Sequence, residues 1–144
     1  MITDALLLLS DAQASVRAAG TYVSTNTIDL GVARDIGAGE GLYVLFTVDV
    51  AFAGGTGVDF QIITSAAANL GSPTVLATSG VRADALLVVG YNFFMPVPPV
   101  VGNGQRYLGV QYVGTGTHTL GSVSARVVLD AAGVKYYASG YSML

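Results

Sequence analysis

From Leu42 to Phe52 the chain alternates, with Leu42, Val44, Phe46, Val48 and Val50 on one side and Tyr43, Thr47 and Asp49 on the other. A period of two is the signature of a strand that turns one face to a core and the other outward. The run ends in Ala53-Gly54-Gly55-Thr56-Gly57, and Val58 to Ser65 returns with Phe60 and Ile62 on one face. Glycine supplies the positive φ that tight turns need, so the two runs are expected to form a hairpin.

Further strands are expected at Thr74 to Thr78, after the break Gly71-Ser72-Pro73, and at Gln105 to Val113 and Ser122 to Asp130. Tyr91 to Val97 reads as an edge strand or one that ends early, because Pro96, Pro98 and Pro99 remove ladder donors. Thr21 to Leu30 is a weaker strand and Lys135 to Ala138 a short terminal one; Ala5 to Ala19 is a candidate short helix, opposed by Ser10, Asp11 and Val16. Valine outnumbers leucine, and 19 glycines punctuate the runs. The chain is therefore expected to be all-β: an antiparallel sandwich or jelly roll forming one domain over residues 1–144.

The surface of such a domain is short of charge. A typical domain of this length carries about 36 charged residues, whereas this one has 6 basic and 9 acidic. Over a folded surface of about 6,900 Å² that leaves one charge per about 460 Å², a surface poorly protected against association. Much of it is expected to be covered by other protein.

Several functions are excluded by type. The apolar run Ala5 to Leu9 is too short for a membrane span or a signal core, and Asp4 sits where a signal needs positive charge. The basic residues Arg17, Arg34, Arg82, Arg106, Arg126 and Lys135 stand singly, leaving no footprint for nucleic acid. With no cysteine there is no disulfide framework and no thiolate site.

His118, the single histidine, lies in Gly114-Thr115-Gly116-Thr117-His118-Thr119-Leu120-Gly121 and is expected as an exposed turn residue rather than a catalytic base. Without a second histidine a transition-metal site would need carboxylates alone, and no such spacing occurs. Asp49 and Asp59 would flank the hairpin on one solvated face, while Asp29 and Asp130 read as strand-end residues that bond turn amides. Gly37-Ala38-Gly39-Glu40-Gly41 lacks the third glycine and the following helix of a dinucleotide loop, so it is a turn. No enzyme, cofactor or metal is expected. Tyr136, Tyr137 and Tyr141 crowd the C-terminal segment and suit an interface, a cap on the sandwich or a carbohydrate platform.

Some blocks resemble a known family. They are Ile28-Asp29-Leu30-Gly31 and Arg34-Asp35-Ile36-Gly37-Ala38-Gly39-Glu40, then Gly71-Ser72-Pro73-Thr74-Val75-Leu76-Ala77 and Pro96-Val97-Pro98. Gly104-Gln105-Arg106-Tyr107-Leu108-Gly109-Val110 and Tyr136-Tyr137-Ala138-Ser139-Gly140 complete the order. In that order the chain resembles the jelly-roll capsid cement (decoration) proteins of tailed bacteriophages, of the Bordetella-phage type. The resemblance implies a jelly roll of about eight strands with no enzymatic activity. It implies a structural virion protein, made in the bacterial host cytoplasm and placed on the outer surface of the head. There it would self-associate as a homodimer, with a trimer as the alternative, and bridge copies of the major capsid protein. A carbohydrate-binding jelly roll for host attachment is the competing reading.

Candidate contact residues follow from composition. Segments 1–20 and 131–144 are expected as contact arms. Leu6, Leu7, Leu8 and Leu9, the Pro-rich stretch with Phe93, Phe94, Pro96 and Pro98, and Tyr136, Tyr137 and Tyr141 would carry the interface. Leu6 to Leu9 would be costly as a free arm, so it is expected to pack on a neighbour or on its own sandwich.

Overall fold

In the computed structural model, which describes residues 4–33, 41–98 and 105–129, the strands pair as one long antiparallel hairpin folded over on itself. The strands are β1 (Leu8–Ala14), β2 (Gly20–Val23), β3 (Ile28–Asp29), β4 (Tyr43–Ala53), β5 (Gly57–Ser65), β6 (Thr74–Ala83), β7 (Asn92–Pro96), β8 (Tyr107–Thr115) and β9 (Leu120–Val128). β5 pairs with β6, β4 with β7, β2 with β8 and β1 with β9, each antiparallel. Winding this ribbon gives two sheets, β1-β9-β4-β7 and β2-β8-β5-β6, with β3 added beside β8. That order is a jelly roll.

The alternation seen in the sequence fills the space between the sheets. Val44, Phe46 and Val48 from one sheet meet Phe60, Ile62, Val110 and Tyr112 from the other. Phe46 stacks on Phe93 at 5.1 Å and meets Phe60 edge-on at 5.3 Å, and Phe60 meets Tyr112 edge-on at 5.7 Å. Each such pair adds about 0.5–1.5 kcal/mol beyond the area it buries.

Two polar staples close the open sides of the sandwich. Between β1 and β2, the Tyr112 hydroxyl donates to Ser10 Oγ (2.8 Å), Ser10 donates to Gln13 Oε1 (2.7 Å) and Gln13 Nε2 donates to the Val23 carbonyl (2.9 Å). Burial pushes the Tyr112 hydroxyl far above its ordinary pKa, so it stays a donor. Between β6 and β7, Arg82 lies 3.9 Å from the centre of the Phe93 ring and donates to the Tyr91 hydroxyl (2.7 Å).

Five expectations change. β4 and β5 are not a hairpin: they lie in opposite sheets, and the glycine turn carries the chain across the core. Gly54, at φ +89°, serves a corner as well as it would serve a hairpin, so the local signal was the same. The candidate helix from Ala5 to Ala19 is instead a 3-10 turn, Ala5–Leu7, followed by β1. Pairing with β9 supplies ladder hydrogen bonds that outweigh local propensity, and two register shifts bend β1 around Ala12. The strand after Pro73 runs on to Ala83, and the weak strand Thr21 to Leu30 divides into β2 and β3 around the buried Ser24. Bulges in β4 turn Val50 outward at 44% exposure, then return Phe52 to the core. The glycine set at 37–40, Asp130, the strand Lys135 to Ala138 and segment 131–144 lie outside the described residues.

The connections gather at two ends. Loops 15–19, 54–56, 84–91 and 116–119 form one end, the corner end. Asp4, Leu129 and the β5–β6 connection lie at the other.

Candidate functional site

The strand registers divide the candidate contact residues into two sets. Leu9 and Phe93 face inward, Leu9 fully buried and Phe93 packed against the aromatic core; Leu7 also packs against that core. These three are occupied in holding the sandwich together, a correction to their reading as contact residues. Leu8, Phe94 and Pro96 alternate with core residues and so lie on the outer face of the β1-β9-β4-β7 sheet. Leu6 is 84% exposed beside them, and Pro98 is half-buried just beyond β7. Tyr136, Tyr137 and Tyr141 lie outside the described residues.

This outer face carries residues that composition alone did not single out. One row in register runs Leu8, Arg126, Leu45, Phe94 across all four strands. The next row towards the end with the chain's described limits runs Val128, Tyr43, Pro96. The row on the other side is polar, with Ser124, Thr47 and Asn92. Leu45 and Val128 are themselves buried, at 4% and 6% exposure, so the accessible apolar part of this face is Leu8, Tyr43, Phe94 and Pro96 around one guanidinium. Arg126 Nε is buried with no hydrogen-bond partner among the described residues, and the residue lines a depression of about 280 Å³ with Asp4, Ala5, Leu8 and Asp11. Asp4 accepts from the Leu6 amide at 2.9 Å, which caps the 3-10 turn that forms one wall. The alternation from Ser122 to Asp130 already put Arg126 opposite Val123 and Val127; only the registers show what it neighbours.

The acidic residues do not converge. Asp49 accepts from Ser124 Oγ (2.7 Å) on one outer face. Asp59 accepts from Thr78 Oγ1 and Gln61 Nε2 on the outer face of the opposite sheet. The whole core separates them, which corrects the expectation of a shared hairpin face. Asp29 accepts from the Gly31 amide, as its strand-end position implies, and makes a two-pronged pair with Arg106 at 2.8 Å on each arm. The Arg106 guanidinium, then the Gly31 amide, hold the Asp29 carboxyl at about 2, well below its ordinary value.

His118 is also corrected. It is 4% exposed, not an open turn residue. Its Nε2 lies 3.0 Å from Asp84 Oδ1, and the Phe52 ring meets it edge-on at 5.5 Å. The pair has the form of a base and its orienter, yet among the described residues neither ring nitrogen bonds a hydroxyl. What it does is tie loop 116–119 to the 3-10 turn Asp84–Leu86. Among the described residues every aromatic side chain is buried or only partly exposed.

The profile of the Bbp16 family matches residues 9–127. The chain belongs to the Bbp16 family. Bbp16 is a family of Bordetella phage proteins, and the match runs from the first core residue of β1 to the last of β9. The matched residues include Arg126 and His118. No curated protein matches the chain.

Proposed function

We propose that this Bbp16 protein is a non-enzymatic structural protein of the virion, a cement subunit on the outer surface of the head. In this reading it bridges neighbouring copies of the major capsid protein and self-associates as a homodimer. The observation that carries the reading is the phage family's match over residues 9–127. The charge-poor composition and the partly apolar outer face around Arg126 fit a subunit whose faces are covered by protein.

The mechanism is mechanical. Packaged genome presses outward on a shell held by noncovalent contacts, and separation of neighbouring capsomers is the weak step. A subunit bound across the boundary contributes free energy only while both sides stay in register, so it stabilises the closed shell by mass action. Repetition over many sites turns modest single affinities into a large barrier. Each contact needs roughly 800 Å² per partner. The Arg126 face, with Leu8, Phe94 and Pro96, is our candidate for the capsid side.

Protein quantification in purified heads tests this. We expect a fixed, capsid-like ratio to the major capsid protein. A handful of copies per particle, or none, overturns the reading and favours a tail-borne attachment domain.

A further inference from the structure

Arg126 is a cation for which the sandwich itself shows no use. It stands on the outer face of β9, half-buried, in register between Leu8 of β1 and Leu45 of β4. Leu45 is only 4% exposed although it lies outside the core cluster, so longer neighbours cover it. Arg126 and Phe94 flank it in the same row, and an arginine stem laid over leucine draws its Nε out of water. Among the described residues nothing accepts from that atom. Asp4 and Asp11 line the same depression, yet the ion pairs among the described residues are Arg106–Asp29 and His118–Asp84 alone. The other described arginines are engaged within the fold. Arg106 holds Asp29, Arg17 lies over the Tyr22 ring, and Arg82 lies over Phe93 while its terminal nitrogen donates to Tyr91. Arg126 alone carries a partly desolvated charge with no return from its own chain's described residues, an arrangement that costs stability until an acceptor arrives.

We propose that Arg126 receives the carboxylate of an aspartate or glutamate on the protein partner, in a two-pronged pair ringed by apolar contacts. Whose carboxylate it is follows from the capsid reading, on which this rests: a subunit of the shell. The fork of guanidinium N–H groups matches the two oxygens of a carboxylate, and a guanidinium already stripped of part of its water has less to lose on binding. Leu8, Tyr43, Phe94 and Pro96 stay accessible around it, so a partner that covers them shuts water away from the pair. An arginine enclosed in this way is a common make-up of the residue that dominates an interface. Charge selects an acid over a base. Asp4 and Asp11 are exposed, so water screens both, and Asp4 already accepts from the Leu6 amide. The flanking rows on β9, β4 and β7 are uncharged: Ser124, Thr47 and Asn92 on one side, Val128, Tyr43 and Pro96 on the other. The desolvated guanidinium therefore sets what this face attracts.

Two measurements test this: co-sedimentation of the full chain with heads that lack it, and thermal unfolding of the free protein. The unmodified protein should bind, and Arg126→Met should weaken binding about thirtyfold. Arg126→Lys keeps the charge without the fork and should recover only part of the loss. The free Arg126→Met protein should melt at the same temperature as the unmodified chain or slightly higher, because an apolar side chain over Leu45 removes an unpaid desolvation. Asp11→Asn, which takes a like charge from the rim, should tighten binding a few-fold. Binding indifferent to Arg126→Met overturns the inference. So does a clearly lower melting temperature for that variant, which would show the guanidinium satisfied within its own chain. Tighter binding by Arg126→Met together with weaker binding by Asp11→Asn overturns it too, assigning a cationic group to the depression. Failure of the unmodified protein to bind heads overturns the capsid reading and this inference with it, whereas the Arg126 and Asp11 outcomes overturn the inference alone.

Discussion

His118 explains the glycines around it. A Cβ on Gly55 would sit 2.3 Å from His118 Nε2, and one on Gly114 would sit 3.3 Å from Nδ1. The glycine turn after β4 is thus needed for space at Gly55 as well as for positive φ at Gly54. Gly55→Ala should therefore cost about 1–3 kcal/mol in denaturant unfolding, the range for overpacking. In the His118→Ala background the same change should cost much less, because the clash has been removed, and a double-mutant cycle reads this coupling directly. Equal costs in both backgrounds would show that the turn, not the imidazole, demands glycine. Gly109 follows the same logic, since a Cβ there would meet Leu70 Cδ1 at 2.4 Å, where Leu70 folds down beside Ser24.

At the scale of elements, β3 is the least secured strand, with two residues paired to β8. The Asp29–Arg106 pair ties it down beside Tyr107, and the depressed Asp29 carboxyl gives that tie a pH signature. Its contribution is fully present above the unfolded carboxylate value near 3.8 and is lost as pH falls through the folded value of about 2. Thermal midpoints measured from pH 5 down to 2 should fall more steeply for the unmodified chain than for Asp29→Asn. The difference should be small because the pair is solvent-exposed. Parallel slopes would contradict the role given to the pair.

Much of this layer was legible in the sequence, since period-two runs identify β4, β5, β8 and β9 wherever one face meets the core. The proline-marked run at Tyr91 to Val97 takes its edge position for the same reason, its missing amide donors. What local pattern did not carry was partner choice. Glycine in 54–57 signals a reversal without saying whether the next strand joins the same sheet. β1 forms because β9 needs a neighbour, and nothing within Leu8–Ala14 announces it. The candidate face shows the same division: Leu8, Phe94 and Pro96 were visible as apolar residues, whereas their alignment with Arg126 and Leu45 is a property of four strands in register.

For the whole molecule, the shortage of charge becomes a matter of placement. Asp29, Arg106 and Asp4 sit towards the end where the described chain starts and finishes, while the corner end presents valine and leucine on a hydrogen-bonded plate. The Arg126 face offers a second, distinct surface around a guanidinium. In the proposed cement reading the side of the sandwich around Arg126 is the surface offered to the shell. The most direct test of the cement role is an image reconstruction of the intact particle. The account predicts jelly rolls on the outer surface of the head, spanning the boundaries between capsid subunits. Jelly rolls found only at the tail, or inside the shell, would contradict it.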